Sequence, residues 1–238
     1  MSDVNMALWD SVQKTDPSAT KAATVSGQKI TSINGQYMIR RATEAFGPVG
    51  IGWGWNVLEE RFDKGGDVRK DNGEVIGSEV GHTVRIRLWF ERDGKRGEVE
   101  QYGCTPFTYK SKWGVTTDTE APKKSLTDAI KKALAMLGFS ADIFTGMFDD
   151  ADYVRQRESE EQIERAEDKE AEAERQRQER LTWLKTAIDE MEASPTMHAL
   201  KSLHTKFVRD ATRRGETAFV TRLARTYEEV SGKLEQKQ

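Results

Sequence analysis

The chain has 238 residues, of which 36% are apolar and 32% charged, and its formal net charge is -3. That length suits one folded domain with an appendage, the polarity excludes a single compact globule, and the near-neutral charge means nucleic-acid affinity would need locally clustered Lys and Arg. Cys104 is the only cysteine, and His82, His198 and His204 lie far apart, which excludes a disulfide framework or a structural zinc site within one chain.

The N-terminal MSDVNMALWDSV has no basic segment followed by an apolar run. No stretch approaches the roughly 20 apolar residues of a membrane span, so a reducing, cytosolic setting is expected. GQKITSINGQYMIRRATEAFG at 27 to 47 reads as a strand entering a short helix at Asn34-Gly35 and ending at Gly47-Pro48. Met38, Ile39, Ala42, Ala45 and Phe46 share one face of that helix, and Arg40 stands four residues before Glu44, the spacing of a helical ion pair.

IGWGWNVLEERF at 51 to 62 alternates apolar or aromatic residues with glycines, as a strand does where another backbone or a ring packs closely. Lys64 to Gly77 is Gly-rich and charged and reads as a loop. From His82 to Gly103, Val84, Ile86, Leu88 and Phe90 alternate with Thr83, Arg85, Arg87 and Trp89, and Asp93-Gly94 is a hairpin turn. One face is then buried and the other basic and aromatic. Residues 106 to 124 read as a loop rich in Lys and aromatics. A helix over 122 to 138 buries Leu126, Ile130, Ala133, Leu134 and Leu137, carries Lys124, Asp128 and Lys131 along another side with Lys132 nearby, and stops at Gly138.

Residues 1 to 150 hold 17 of the 19 glycines and five of the six tryptophans, and form the expected folded domain. Residues 151 to 180 have almost no large apolar residue beyond Ile163 and read as a charged helical spacer held by pairs such as Glu161 with Arg165, with a low-propensity coiled coil or disorder as the alternatives; fully helical, ~30 residues would span roughly 45 Å. Residues 181 to 238 regain helical periodicity, with a break at Ser194-Pro195, and suggest a small helical module that is locally basic between Lys201 and Arg225.

No GxxxxGK[ST] loop, dinucleotide glycine spacing or nucleophile elbow is present, so neither a nucleotide cofactor nor a catalytic residue is expected. Acids at Asp63, Asp67, Asp71 and Glu74, and at Asp149, Asp150 and Asp152, read as solvated rather than metal-binding, and no metal is expected. What remains is a candidate phosphate-neutralising groove of Lys110, Lys112, Lys124, Lys131 and Lys132 with Arg85 and Arg87, and with Tyr109, Trp113 or Trp89 for stacking. Solvated lysines and core aromatics are the alternative.

The string Gly27-Gln28-Lys29, Ile33, Gly35, Ile39, Ala42, Glu44 and Phe46-Gly47 resembles the N-terminal part of the Rad fifty-two superfamily of single-strand annealing proteins, which includes phage recombinases of the Sak type. A second match runs through Gly94, Glu98, Tyr102-Gly103, Lys110-Ser111-Lys112, Thr127-Asp128, Lys131-Lys132-Ala133-Leu134 and Gly138. The resemblance covers about 120 residues in order and approximate spacing. It implies an α+β domain of order β-β-α-β-β-β-α with an antiparallel sheet, assembled as a ring or arc around single-stranded DNA in a basic groove. By position, Lys131 and Lys132 resemble the family's phosphate-contacting pair, and Lys110 and Lys112 its basic loop. The family's arginine ahead of the Gly-Gln-Lys segment falls at Ala22, which points to Lys21 as its substitute, and a further helix arginine falls at Ala135.

The expectation is an ATP-independent annealing protein acting as a homo-oligomer in a bacterial host cytoplasm, without enzymatic activity. The 181 to 238 module would dock a phage exonuclease or host single-strand binding protein, add a DNA contact through Lys206, Arg209, Arg213 and Arg214, or serve only oligomerisation. A metal-dependent nuclease using the 63 to 74 acids and a scaffold oligomer are the alternatives.

Overall fold

A computed structural model describes residues 2–25, 27–112 and 114–235, in two compact units divided between Met147 and Phe148. The first opens with α1 (Ser2–Val12) and the antiparallel hairpin β1 (Thr20–Val25) and β2 (Gln28–Ile33). Helix α2 (Gly35–Phe46) follows, then a four-stranded antiparallel sheet in sequential order of β3 (Trp53–Arg69), β4 (Val75–Arg92), β5 (Lys95–Ser111) and β6 (Gly114–Thr117), and finally α3 (Ala121–Met136) and α4 (Ala141–Phe144). This is the α+β arrangement expected, with a fourth short strand added to the sheet.

Local sequence sets these elements. Asn34 Oδ1 accepts from Gln36 N at 2.8 Å to cap α2, and Gly47, at φ 93°, donates to Thr43 O at 2.9 Å to end it. Met38, Ala42 and Phe46 are the buried stripe, and Arg40 reaches Glu44 at 3.1 Å on the solvent side. In β4, Val84, Ile86 and Leu88 are buried in one core with Ala129, Ile130, Ala133 and Leu134 of α3. Asp93 and Gly94 have φ of 52° and 70°, the two positive values that a two-residue turn matching strand twist requires.

Two stretches differ from the loops expected. Strand β3 runs on to Arg69 and β4 begins at Val75, leaving a turn over 70–74 closed by Lys70 Nζ to Glu74 at 2.9 Å. Gly65 and Gly66 sit inside β3 at a register shift between Lys64 and Asp67, where the ladder absorbs one extra residue as a bulge. Pro106 lies within β5, paired with Gly81 beside another register shift, a position where its missing N–H is tolerated. Residues 114–117 then return as β6, joined to β5 by Ser111 Oγ to Thr116 Oγ1 at 2.8 Å.

Helix α1 is unanticipated by sequence. It returns to the far end of the unit, where Ser140 N donates to Val12 O at 3.0 Å and the buried Asp142 accepts from Thr15 N and Oγ1 at 2.7 and 2.6 Å.

The second unit contains α5 (Ala151–Arg165), α6 (Lys169–Glu192), α7 (Met197–Arg213) and α8 (Thr217–Glu235). The charged stretch is helical, but a single rod of roughly 45 Å is not formed. The helix stops at Ala166 and restarts at α6, whose cap Asp168 accepts from Ala171 N at 2.9 Å. Helices α5 and α6 then meet through Ser159 and Gln176 at 2.5 Å. The second half of α6 packs with α7 and α8 around Met191, Leu200, Phe207, Ala211, Leu223 and Val230.

His204 faces this core, its ring 4.6 Å from that of Tyr227 and its buried Nε2 without a hydrogen-bond partner among the described residues. Burial lowers its pKa from the ordinary value. The unfolded chain therefore takes up the proton first, near pH 6.5, so stability present above that pH is lost as pH falls through the lowered folded value. Hydrogen exchange at α7 and α8 amides should accelerate as pH drops below about 6.5, after correction for intrinsic rates, and His204→Phe should abolish that acceleration. Equal pH dependence in the two proteins would contradict this.

Candidate nucleic-acid interface

The lysines expected to hold phosphate divide into groups. On α3, Lys124, Asp128 and Lys131 recur at helical spacing along one side, and Lys132 lies on the adjoining stripe. Lys131 is half-buried. Its stem passes the first residue of α2: a Cβ added to Gly35 would lie 3.8 Å from Lys131 Cδ and 2.7 Å from Thr127 Cγ2. Glycine is thus what lets α2 start against α3, and the partial positive charge of that helix start adds to the lysine's own.

Burial lowers the pKa of the Lys131 ammonium; Asp128 opposes the shift, while Lys21 and Lys132 add to it. Lys21, exposed on β1 opposite Ser32, is therefore close enough to act on Lys131. Lys132 holds Asp128 at 2.8 Å, with both side chains partly exposed. Lys21 and Lys132 thus both bear on Lys131, with Asp128 the carboxylate in the same cluster.

Lys124 is otherwise engaged. Its Nζ lies 2.5 Å from Asp118 Oδ2, a hydrogen bond that raises the lysine's pKa and lowers the aspartate's. Asp118 Oδ1 also accepts from Glu120 N at 3.0 Å, so the pair fixes the entry into α3. Asp118 was not anticipated from sequence, whereas the four-residue spacing of Asp128 and Lys132 is a legible signal for their pairing. Lys110 donates to Arg69 O at 2.9 Å and lies 3.7 Å from Asp71, near the tip of the β3–β4 hairpin. Lys112 is exposed in the turn into β6, and Trp113 lies outside the described residues.

Arg85 and Arg87 are elsewhere. They alternate with Val84, Ile86 and Leu88 and so project from the sheet face away from α3. There they join a ladder of opposite charges: Arg85 with Glu59 at 3.5 Å and Glu100 at 3.4 Å, Arg87 with Glu100 at 2.7 Å and Glu98 at 3.5 Å, and Arg96 with Glu98 at 3.1 Å. Trp89 lies across Gly54 on the same face, with the Arg96 guanidinium 4.5 Å from its ring. The basic, aromatic face expected from alternation alone is a charge-compensated one.

The acids at 63 to 74 are likewise compensated. Asp63 accepts from Thr83 Oγ1 at 2.7 Å and from Arg61 Nε at 2.8 Å, and both bonds lower its pKa. Asp67 meets Arg69 at 2.9 Å and Glu74 meets Lys70 at 2.9 Å. Among the described residues no group of three or more His, Cys, Asp or Glu is placed to hold a metal ion.

Residues 6–171 match the Rad52/22 family of double-strand break repair proteins. The chain belongs to that family. No curated protein and no solved structure matches it. Membership in the Rad52/22 family places the chain in DNA repair and recombination. The matched region contains β1–β6 and α3 with the Lys21, Lys131 and Lys132 locus, and it ends near the start of α6. Helices α7 and α8 lie beyond it. No helix among the described residues is long and apolar enough to cross a membrane.

Proposed function

We propose that this Rad52/22 family member binds single-stranded DNA along the α3 locus and anneals complementary strands without ATP, as a homo-oligomeric ring or arc. The observation that carries the reading is the half-buried Lys131 ammonium beside the start of α2, where Lys21 and Lys132 add positive charge and Asp128, itself paired with Lys132, is the one carboxylate acting on it. Gathering like charges is unfavourable, and an anion placed among them relieves the repulsion. A phosphate backbone supplies such anions at regular intervals and leaves base edges free, so pairing itself tests complementarity. Neutralising phosphates on both strands also lowers the barrier to their encounter. That chemistry needs no hydrolysis and no catalytic residue.

Assembly is supported by large apolar side chains exposed on the first unit, including Ile51 at 73%, Met136 at 55% and Phe144 at 50%. Packing a neighbouring copy against any of them would remove that apolar area from water. The nuclease alternative is weakened by the cations that occupy Asp63, Asp67 and Glu74.

The test is annealing of two complementary labelled oligonucleotides by the full chain, with EDTA and no nucleotide, on a deproteinised gel. Duplex should form faster than in the protein-free control, with both strands at full length. No acceleration would overturn the reading, and strand shortening on adding Mg²⁺ would turn it toward a nuclease.

A further inference from the structure

Helix α7 is divided lengthwise. Leu200, Leu203, Phe207 and Ala211 face the core of the second unit. At 100° per residue, Lys201, Lys206, Arg209 and Arg213 fall on the opposite side, together with His198, and all five are exposed. Ser202, Thr205 and Thr212, also exposed, occupy the spaces between them. No acidic residue of α7 shares this arc; Asp210, its only acid, lies at the edge of the core side, 3.9 Å from Arg209.

Most arginines elsewhere on this chain have a closer carboxylate: Arg40, Arg61, Arg87, Arg96 and Arg175 are all so paired. Lys201, Lys206 and Arg213, by contrast, have no carboxylate within 4.0 Å among the described residues, although Lys206 lies 4.7 Å from the Phe207 ring. In a chain of net charge -3, an acid-free cationic strip is a local departure, not a consequence of composition. Arg214, grouped with these cations on sequence alone, is drawn instead over the Trp183 ring at 4.6 Å.

We infer that this face of α7 is a second nucleic-acid site, which holds the phosphate backbone of a strand or duplex apart from the α3 locus. Residues 198 to 213 span roughly 22 Å, enough for several consecutive phosphates. Cations with interspersed hydroxyls are the groups that contact backbone oxygens without reading bases. An acidic protein segment is the other polyanion to consider, but protein recognition centres on buried aromatic or aliphatic anchors, and the hollow along this strip is lined by His198, Lys201, Ser202, Thr205, Lys206 and Arg209, with no aromatic or aliphatic side chain among them to receive one. The inference deepens the annealing proposal by adding a place for a second strand, and it rests on that proposal only for its role, not for the binding itself.

The test uses the full chain with Lys201→Gln, Lys206→Gln, Arg209→Gln and Arg213→Gln together, alone and combined with Lys131→Ala and Lys132→Ala. Titrations of a labelled single strand and a labelled duplex over a range of salt separate the two sources of phosphate. The four-residue variant should lower the slope of log affinity against log salt by about 2 to 3, and in the combined variant the binding that survives loss of the α3 pair should disappear. The substituted side chains are exposed, so helix content by circular dichroism should not change. Unchanged slopes for both probes in both backgrounds would overturn the site. Loss of binding to an acidic peptide, with DNA binding intact, would overturn it in favour of a protein partner. If wild type fails to anneal yet the four-residue variant still loses salt-sensitive binding, the annealing proposal falls and the second site stands.

Discussion

Replacing Lys131 and Lys132 together with alanine is expected to weaken single-stranded DNA binding by roughly 10²-fold and to slow annealing in proportion, while leaving the fold intact. A hydrogen bond to a charged group contributes about 1.5 to 3 kcal/mol, and two neighbouring contacts do not add fully, which sets that scale. The contact with Asp128 does not tie Lys132 down. An exposed pair four residues apart on a helix is worth only about 0.3 to 0.5 kcal/mol, so a phosphate can displace the carboxylate. Removing Lys132 also leaves Asp128 uncompensated beside the strand, so the variant loses attraction and gains repulsion together. Lys131 carries the other part: burial already disfavours its charge, and a bound phosphate offsets that cost.

Fluorescence anisotropy across a salt series checks this, because each lost contact to a single strand should lower the slope by about 0.7. Circular dichroism supplies the control for folding. The pair lies off the buried stripe of Ala129, Ile130, Ala133 and Leu134, so the helix should hold. A double variant that binds with unchanged affinity and slope would place the groove elsewhere.

Much of the first unit was readable because its signals are local. Asn34 and Gly47 bracket α2, Arg40 and Glu44 pair across one turn, and Asp93-Gly94 adopts the positive φ values that its dipeptide suggests. The alternation in β4 correctly separated Val84, Ile86 and Leu88 from the arginines between them. It could not show what those arginines meet. Glu59 and Glu100 come opposite them only through the register of β3 and β5, so a strip that reads as basic along the chain is neutral across the sheet. The same distance in sequence concealed α1. Trp9 packs against Gly138, where an added Cβ would lie 2.8 Å from the indole, and neither residue signals the other. Gly65 and Gly66 misled for another reason: glycine marks bulges as well as loops, and only the completed ladder tells which. At the site, Lys131 and Lys132 stand out on their helix, whereas Lys21 reaches them through tertiary packing and was suggested only by family resemblance.

Gly103→Ala is expected to destabilise the first unit by about 3 kcal/mol or more, at the upper end of overpacking changes. Gly103 stands opposite Val84, under α3, where an added Cβ would lie 1.9 Å from Ser125 O and 2.6 Å from Ala129 N. Both are backbone atoms of the helix, so no side-chain rotation relieves the clash. The helix cannot lift there without disturbing the Ser125 Oγ bond to His82 O, 3.1 Å long, and the burial of Ala129, Ile130 and Ala133. Gly66→Ala is the matched control: it meets nothing within 4 Å and should cost no more than about 1 kcal/mol. Urea unfolding followed by tryptophan fluorescence should therefore show a much lower midpoint for Gly103→Ala than for Gly66→Ala. Equal midpoints would mean that α3 does not rest on β5 at this point. Because Lys131 and Lys132 ride on α3, DNA affinity should fall in Gly103→Ala even where the chain remains folded, which would tie the position of the two lysines proposed to hold phosphate to a single backbone approach beneath them.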